Sequence, residues 1–105
     1  MPELPDRPTL ADFQTYVTRL EEERGFTRQD VLAKCLLLGK EVGELFKAVR
    51  KVQGIALDAT ARVDGPAGEL ADVFIFLCAI ANRLGVDLET AFREKEAVNA
   101  TRRWT

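Results

Sequence analysis

Two pairs of acidic residues share one spacing in this chain: Glu41 with Glu44, and Glu69 with Asp72. A separation of three puts both carboxylates of a pair on one face of a helix. Four carboxylates converging near an apolar core repel one another, and each loses hydration worth several kcal/mol if uncompensated. A hard divalent cation resolves both costs. Mg²⁺ takes oxygen ligands, keeps some of its water and bridges to substrate phosphates. Chemistry of this kind is also what the composition leaves open. The chain has no histidine, which removes Ser-His-Asp and Cys-His catalysis, histidine-ligated zinc and Glu-x-x-His di-iron sites. Hydrolysis here must rest on carboxylates, lysine, arginine and bound metal.

Each acid also has a plainer reading. Glu41 and Glu44 suit a solvated face, paired with Lys40 or Lys47. Glu69 suits the first turn of a helix, where a negative charge meets the helix dipole. Asp72 resists such a reading, because it is the only charged residue from Leu70 through Ala81. Taken jointly, the four favour a metal site.

The elements that must position these acids are helices, and no stretch has the period-two pattern of a strand. The first helix is expected from about Leu10 to Arg24, with Thr9 as N-cap, Asp12 three residues on and Gly25 beyond its end. The second is expected to start after Thr27 and run to about Val52, before Gly54. A third follows Asp64-Gly65-Pro66 and stops near Leu84 at Gly85. A fourth is capped by Asp87 and runs to about Arg103. Residues 1–8 read as a loose arm and 53–65 as a loop, all within a single domain over residues 1–105.

On a helical wheel, Leu38, Val42, Leu45, Phe46 and Val49 form the main apolar stripe of the second helix. Glu41 and Glu44 fall at its border, with Leu37 and Ala48 above and below them. In an antiparallel hairpin, Glu44 and Asp72 lie about 12 Å and about 9 Å from the turn, at about 1.5 Å per residue. The two acidic pairs therefore sit at similar heights. The third helix is apolar in every direction, and three short neighbours cannot enclose it. A second subunit is expected to cover part of it.

On the fourth helix, Leu88, Ala91 and Phe92 begin a face that continues as Lys95, Asn99 and Arg102. Such a stripe offers a point charge, a neutral amide and a bidentate fork to an anion held by the metal. Cations decorating a helix C-terminus are the alternative for Arg102 and Arg103. Phe13, Tyr16 and Trp104 are aromatic candidates for lining an apolar ligand pocket.

Bulk properties set the remaining bounds. Apolar residues at 47% and charged residues at 30% of 105 residues indicate one globular domain rather than disorder. A net charge of −2 argues against nucleic acid or an anionic membrane as partner. The longest apolar run, Val73 to Ala81, is too short to span a bilayer. No secretory leader is seen after Met1, and Cys35 and Cys78 read as buried free thiols, so a soluble protein in a reducing cytoplasm is expected.

Glu-Val-Gly-Glu-Leu at 41–45 and Gly-Glu-Leu-Ala-Asp-Val at 68–73 resemble the MazG-like all-α nucleotide pyrophosphohydrolases. That family's signature is Glu-Glu-x-x-Glu, a variable insert, then Glu-x-x-Asp. Lys-Ala-Val-Arg-Lys (47–51), Ala-Asn-Arg-Leu-Gly-Val-Asp-Leu (81–88) and Lys-x-x-x-Asn-x-x-Arg-Arg-Trp (95–104) carry the likeness across nearly the whole chain. The resemblance implies a four-helix bundle that associates through apolar helices as a homodimer or a tetramer built from dimers. It implies hydrolysis of a nucleoside triphosphate, often noncanonical or deoxy, to the monophosphate and pyrophosphate, by metal-activated water attack on the α-phosphate. Glu41, Glu44, Glu69 and Asp72 would ligate Mg²⁺, replaceable by Mn²⁺, and Lys95, Asn99 and Arg102 would contact the phosphates. Either Glu41 or Glu44 would accept the proton. One departure stands out: Lys40 occupies the place of the motif's first Glu. It gives weight to a competing reading, a non-catalytic helical dimerisation or partner-binding module derived from such an enzyme. Phosphoribosyl-ATP pyrophosphohydrolase is a second alternative within enzymes.

Overall fold

The computed structural model describes residues 1–55 and 65–103, and among these it contains four helices and no strand. They are α1 (Leu10–Arg24), α2 (Val31–Val52), α3 (Pro66–Leu84) and α4 (Leu88–Asn99). Most of the expected 53–65 loop, and Trp104, lie outside the described residues.

Local chemistry sets most of the ends. Thr9 and Asp12 form a reciprocal capping box at α1, with the Thr9 hydroxyl accepting from the Asp12 amide at 3.1 Å and the Asp12 carboxylate accepting from the Thr9 amide at 2.8 Å. Asp87 caps α4 by accepting from the Thr90 amide at 3.0 Å. α3 ends where Gly85 turns left-handed at φ 67°, a conformation that a side chain disfavours.

Two ends differ from expectation. α2 begins at Val31, not after Thr27, because residues 26–29 form a separate turn (Gln29 amide to Phe26 carbonyl, 3.1 Å). The side chain of Arg83 holds that turn by donating to the carbonyls of Gln29 at 2.7 Å and Phe26 at 3.2 Å. Asp30, expected inside the helix, is its N-cap instead and accepts from the Ala33 amide at 2.8 Å. α4 stops at Asn99, short of Arg103. The Val98 carbonyl, which a continuing helix would offer to the Arg102 amide, accepts from the amide and the hydroxyl of Thr101 at 3.1 and 2.7 Å.

α3 lies at the centre, with α2 against it most extensively and α1 on another side, and α4 leans on α1. The core joins Val17 and Leu20 of α1 to Cys78 and Ala79 of α3, with Phe13, Tyr16, Phe74, Ile75 and Leu88 packed around them. Gln14 fastens the α3–α4 turn to α1. Its amide donates to Asn82 and to the Val86 carbonyl, and its oxygen accepts from the Leu88 amide at 2.9 Å.

Cys78 is fully enclosed, and burial pushes its thiol up to about 11. Cys35, expected to be buried as well, is exposed, because it stands on the outward side of α2 between the exposed Leu32 and Leu36. Cys78 is therefore expected to resist iodoacetamide at neutral pH until the chain is denatured. Mass spectrometry of the alkylated protein checks this, and rapid native labelling at Cys78 would contradict the enclosed core.

The rotation of α2 about its axis is the main departure in packing. Phe46 and Val49, expected on the core stripe, are exposed, and the inward face runs through Lys34, Glu41 and Ala48. Ala48 is only 1% exposed. Large apolar side chains remain uncovered in the single chain: Leu32, Leu36 and Phe46 on α2, Leu70, Leu77 and Leu84 on α3, and Phe92 on α4. No helix among the described residues is long and apolar enough to cross a membrane.

Candidate functional site

The rotation of α2 aims Glu41 at α3. One carboxylate oxygen from each of Glu41, Glu69 and Asp72 lies within 4.8 Å of the others. Burial grades across the group, with Glu69 5% exposed, the Glu41 side chain 16% exposed and Asp72 open to solvent. Two contacts fix the antiparallel register, Glu41 beside Glu69 and Asp72, and the Lys34 ammonium 5.3 Å from the Phe76 ring centre further along both helices.

The donor set fits a hard divalent cation. It is all oxygen, comes from two rigid helices, and concentrates negative charge at a partly dehydrated place. Lys40 reaches Glu41 at 3.8 Å from an exposed position. Glu44 is not in the group of three. Its carboxylate turns to Lys47 at 3.6 Å, with the Glu44 side chain 28% exposed.

The other expected site residues fall elsewhere. Lys95 lines a groove of about 560 Å³, together with Phe74, Leu77, Leu84 and Phe92. That groove shares no lining residue with the cavity that Asp72 borders. Asn99 donates from its amide to Glu96 at 3.0 Å. Arg102 lies past the end of α4, off the helical stripe that joined it to Lys95 and Asn99. Phe13 stands edge-on to Phe74, ring centres 5.3 Å apart, and Tyr16 packs on the same core; neither lines the cavity that Asp72 borders.

The cavity that does adjoin the acids encloses about 150 Å³, and Asp72 lines it with Phe26, Phe76, Ile75, Lys34 and Glu21. Lys34 and Glu21 are its buried polar groups. Glu21 receives both amino groups of the Arg83 guanidinium, at 2.8 and 2.5 Å, and the Lys34 ammonium at 3.4 Å. Burial pushes the Glu21 carboxyl up, but the Arg83 hydrogen bonds and the charges of Lys34 and Arg83 outweigh it and hold the group below 4.5. The same bonds raise Arg83 above its ordinary value. Two sequence signals mark this cavity: Phe76 lies one helical turn beyond Asp72, and Lys34 two turns before Glu41.

No family model matches the chain. A dATP/dGTP diphosphohydrolase of Salmonella phage PMBT28 is 34% identical over 96 residues, covering 91% of this chain, and the chain spans 28% of that protein's length. Among solved structures, the MazG-like pyrophosphohydrolase of cyanophage S-2L, bound to dGDP and three catalytic Mn²⁺ ions per active site, superposes with a TM-score of 0.71 at 29% identity. The match covers 96% of this chain and 87% of that one. The iMazG structure from Vibrio DAT 722 gives a TM-score of 0.67 at 27% identity, covering 92% of this chain and 99% of that one. With four helices in that arrangement, acidic residues brought together across α2 and α3, and likeness along nearly its whole length, the chain has the all-α fold of the MazG-like pyrophosphohydrolases and is similar to them.

Proposed function

We propose that this chain hydrolyses nucleoside or deoxynucleoside triphosphates to the monophosphate and pyrophosphate with the help of Mg²⁺, for which Mn²⁺ can substitute. The carrying observation is the convergence of Glu41, Glu69 and Asp72 within 4.8 Å across two helices. Support also comes from the relatives, one a dATP/dGTP diphosphohydrolase and one holding dGDP and Mn²⁺. A cation held by these acids supplies Lewis-acid polarisation of the phosphates and lowers the pKa of water within its reach. Glu69, buried between the helices, anchors the site, while the more open Glu41 and Asp72 face the substrate. Glu44 joins as fourth ligand by releasing Lys47. A part-exposed pair of that kind is worth no more than about 1 kcal/mol. The proton of the attacking water goes to the Glu41–Glu44 side of α2.

The uncovered line of Leu70, Leu77 and Leu84 supports association into a dimer or a tetramer. In such an assembly Lys95, Asn99 and Arg102 meet phosphates held at the carboxylates of another copy. Lys40 stays on the exposed side of Glu41, which favours the enzyme over a non-catalytic module. A pyrophosphate-release screen over ribo- and deoxynucleoside triphosphates, with Mg²⁺, with Mn²⁺ and with EDTA, tests the proposal. Release that needs a divalent ion is expected. Silence across the panel, or release that survives EDTA, rejects it.

A further inference from the structure

At the cavity beside Asp72 two cations share one buried carboxylate. Glu21 already engages Arg83 through both carboxylate oxygens, so Lys34 is a second cation on the same acid. Its ammonium is buried, and it stands 5.0 Å from the centre of the Phe26 ring and 5.3 Å from that of Phe76. Aromatic faces and a shared carboxylate stabilise such a charge, but they leave hydrogen-bonding capacity on an ammonium that has three donors and no acceptor. A residue that served only to neutralise Glu21 would be redundant with Arg83.

The placement fits an electron-rich ligand edge. The cavity is lined by exposed Asp72 and Phe26, by half-buried Phe76, and by buried Lys34 and Glu21. At about 150 Å³ it accommodates a flat ring rather than a hydrated triphosphate. Aromatic side chains take the faces of a base, and the ammonium takes an acceptor on its edge. Guanine offers O6 and N7, and thymine and uracil offer O4. Adenine and cytosine present an amino group at the corresponding position, which would meet Lys34 donor to donor.

We propose that Lys34 is a specificity-determining residue that donates to the exocyclic carbonyl of a 6-oxopurine or 4-oxopyrimidine base seated against Phe26 and Phe76. The assignment rests on the nucleotide reading of the Asp72 site but is tested without turnover.

Binding of dGMP and dAMP to the full chain is measured by titration calorimetry, in wild type, Lys34→Met and Lys34→Gln. Wild type is expected to favour dGMP about tenfold. Lys34→Met is expected to lose that preference through weaker dGMP binding, with dAMP affinity held within about twofold. Lys34→Gln, whose amide both donates and accepts, is expected to bring the two ligands within about threefold of each other. Both variants keep the Glu21–Arg83 pair, and circular dichroism verifies their fold. Equal weakening of both nucleotides in Lys34→Met overturns the proposal and moves Lys34 to the shared phosphate. No wild-type preference, or no binding of either monophosphate, also overturns it. Absence of pyrophosphate release alongside a Lys34-dependent dGMP preference rejects the hydrolase reading and leaves this one standing.

Discussion

Asp72→Asn is expected to lower pyrophosphate release by about 10²–10³-fold while leaving the helical circular dichroism signal unchanged. The substitution keeps the shape of the side chain and removes the charge that makes it a ligand. Asp72 is solvent-exposed, so its loss of charge leaves no buried group unsatisfied. Glu69→Gln is expected to reduce turnover comparably and to lose the stabilisation that added Mn²⁺ gives wild type. Glu69 is buried beside the carboxylates of Glu41 and Asp72. Thermal melts with and without Mn²⁺, run beside the pyrophosphate assay, check both statements. Turnover within about threefold of wild type in Asp72→Asn would remove Asp72 from the site.

Glu21→Gln is expected to cost about 3–5 kcal/mol at pH 7, the largest effect on stability foreseen for a single substitution here. Neither the Lys34 nor the Glu21 side chain has appreciable contact with water, and Arg83 is largely covered. Removing the one carboxylate leaves two cations to share a neutral amide. The consequences extend beyond the pair, because Arg83 also holds the 26–29 turn that precedes α2. The pH dependence has a definite sign. The folded carboxyl is held below its ordinary 4.5, so its stabilising contribution is complete above that value. It is lost as pH falls through the depressed folded value. Urea denaturation of wild type and Glu21→Gln at one protein concentration should show a gap that is constant from pH 7 to about pH 5 and narrows in more acid solution. A gap below 1 kcal/mol at pH 7, or one that widens with acid, contradicts the network as described.

The sequence by itself determined the features whose causes act within one helical turn. The Thr9–Asp12 box, the Asp87 cap and the left-handed Gly85 are interactions between residues at most four apart, so the bounds of α1 and α3 and the start of α4 were legible. The spacing of the acids was legible for the same reason, and with the missing histidines it pointed to metal-assisted chemistry. Only tertiary structure decided which side of α2 faces inward. Its apolar stripe through Phe46 and Val49 competes with the face that bears Lys34 and Glu41, and the outcome depends on all that α3 and α1 present to it. The same rotation exposes Cys35. Arg83, more than fifty residues away in sequence, shapes the turn that delays α2 and brings Phe26 to the cavity. A helix wheel can show two faces that would profit from burial, but the choice between them is a sum over partners distant in sequence.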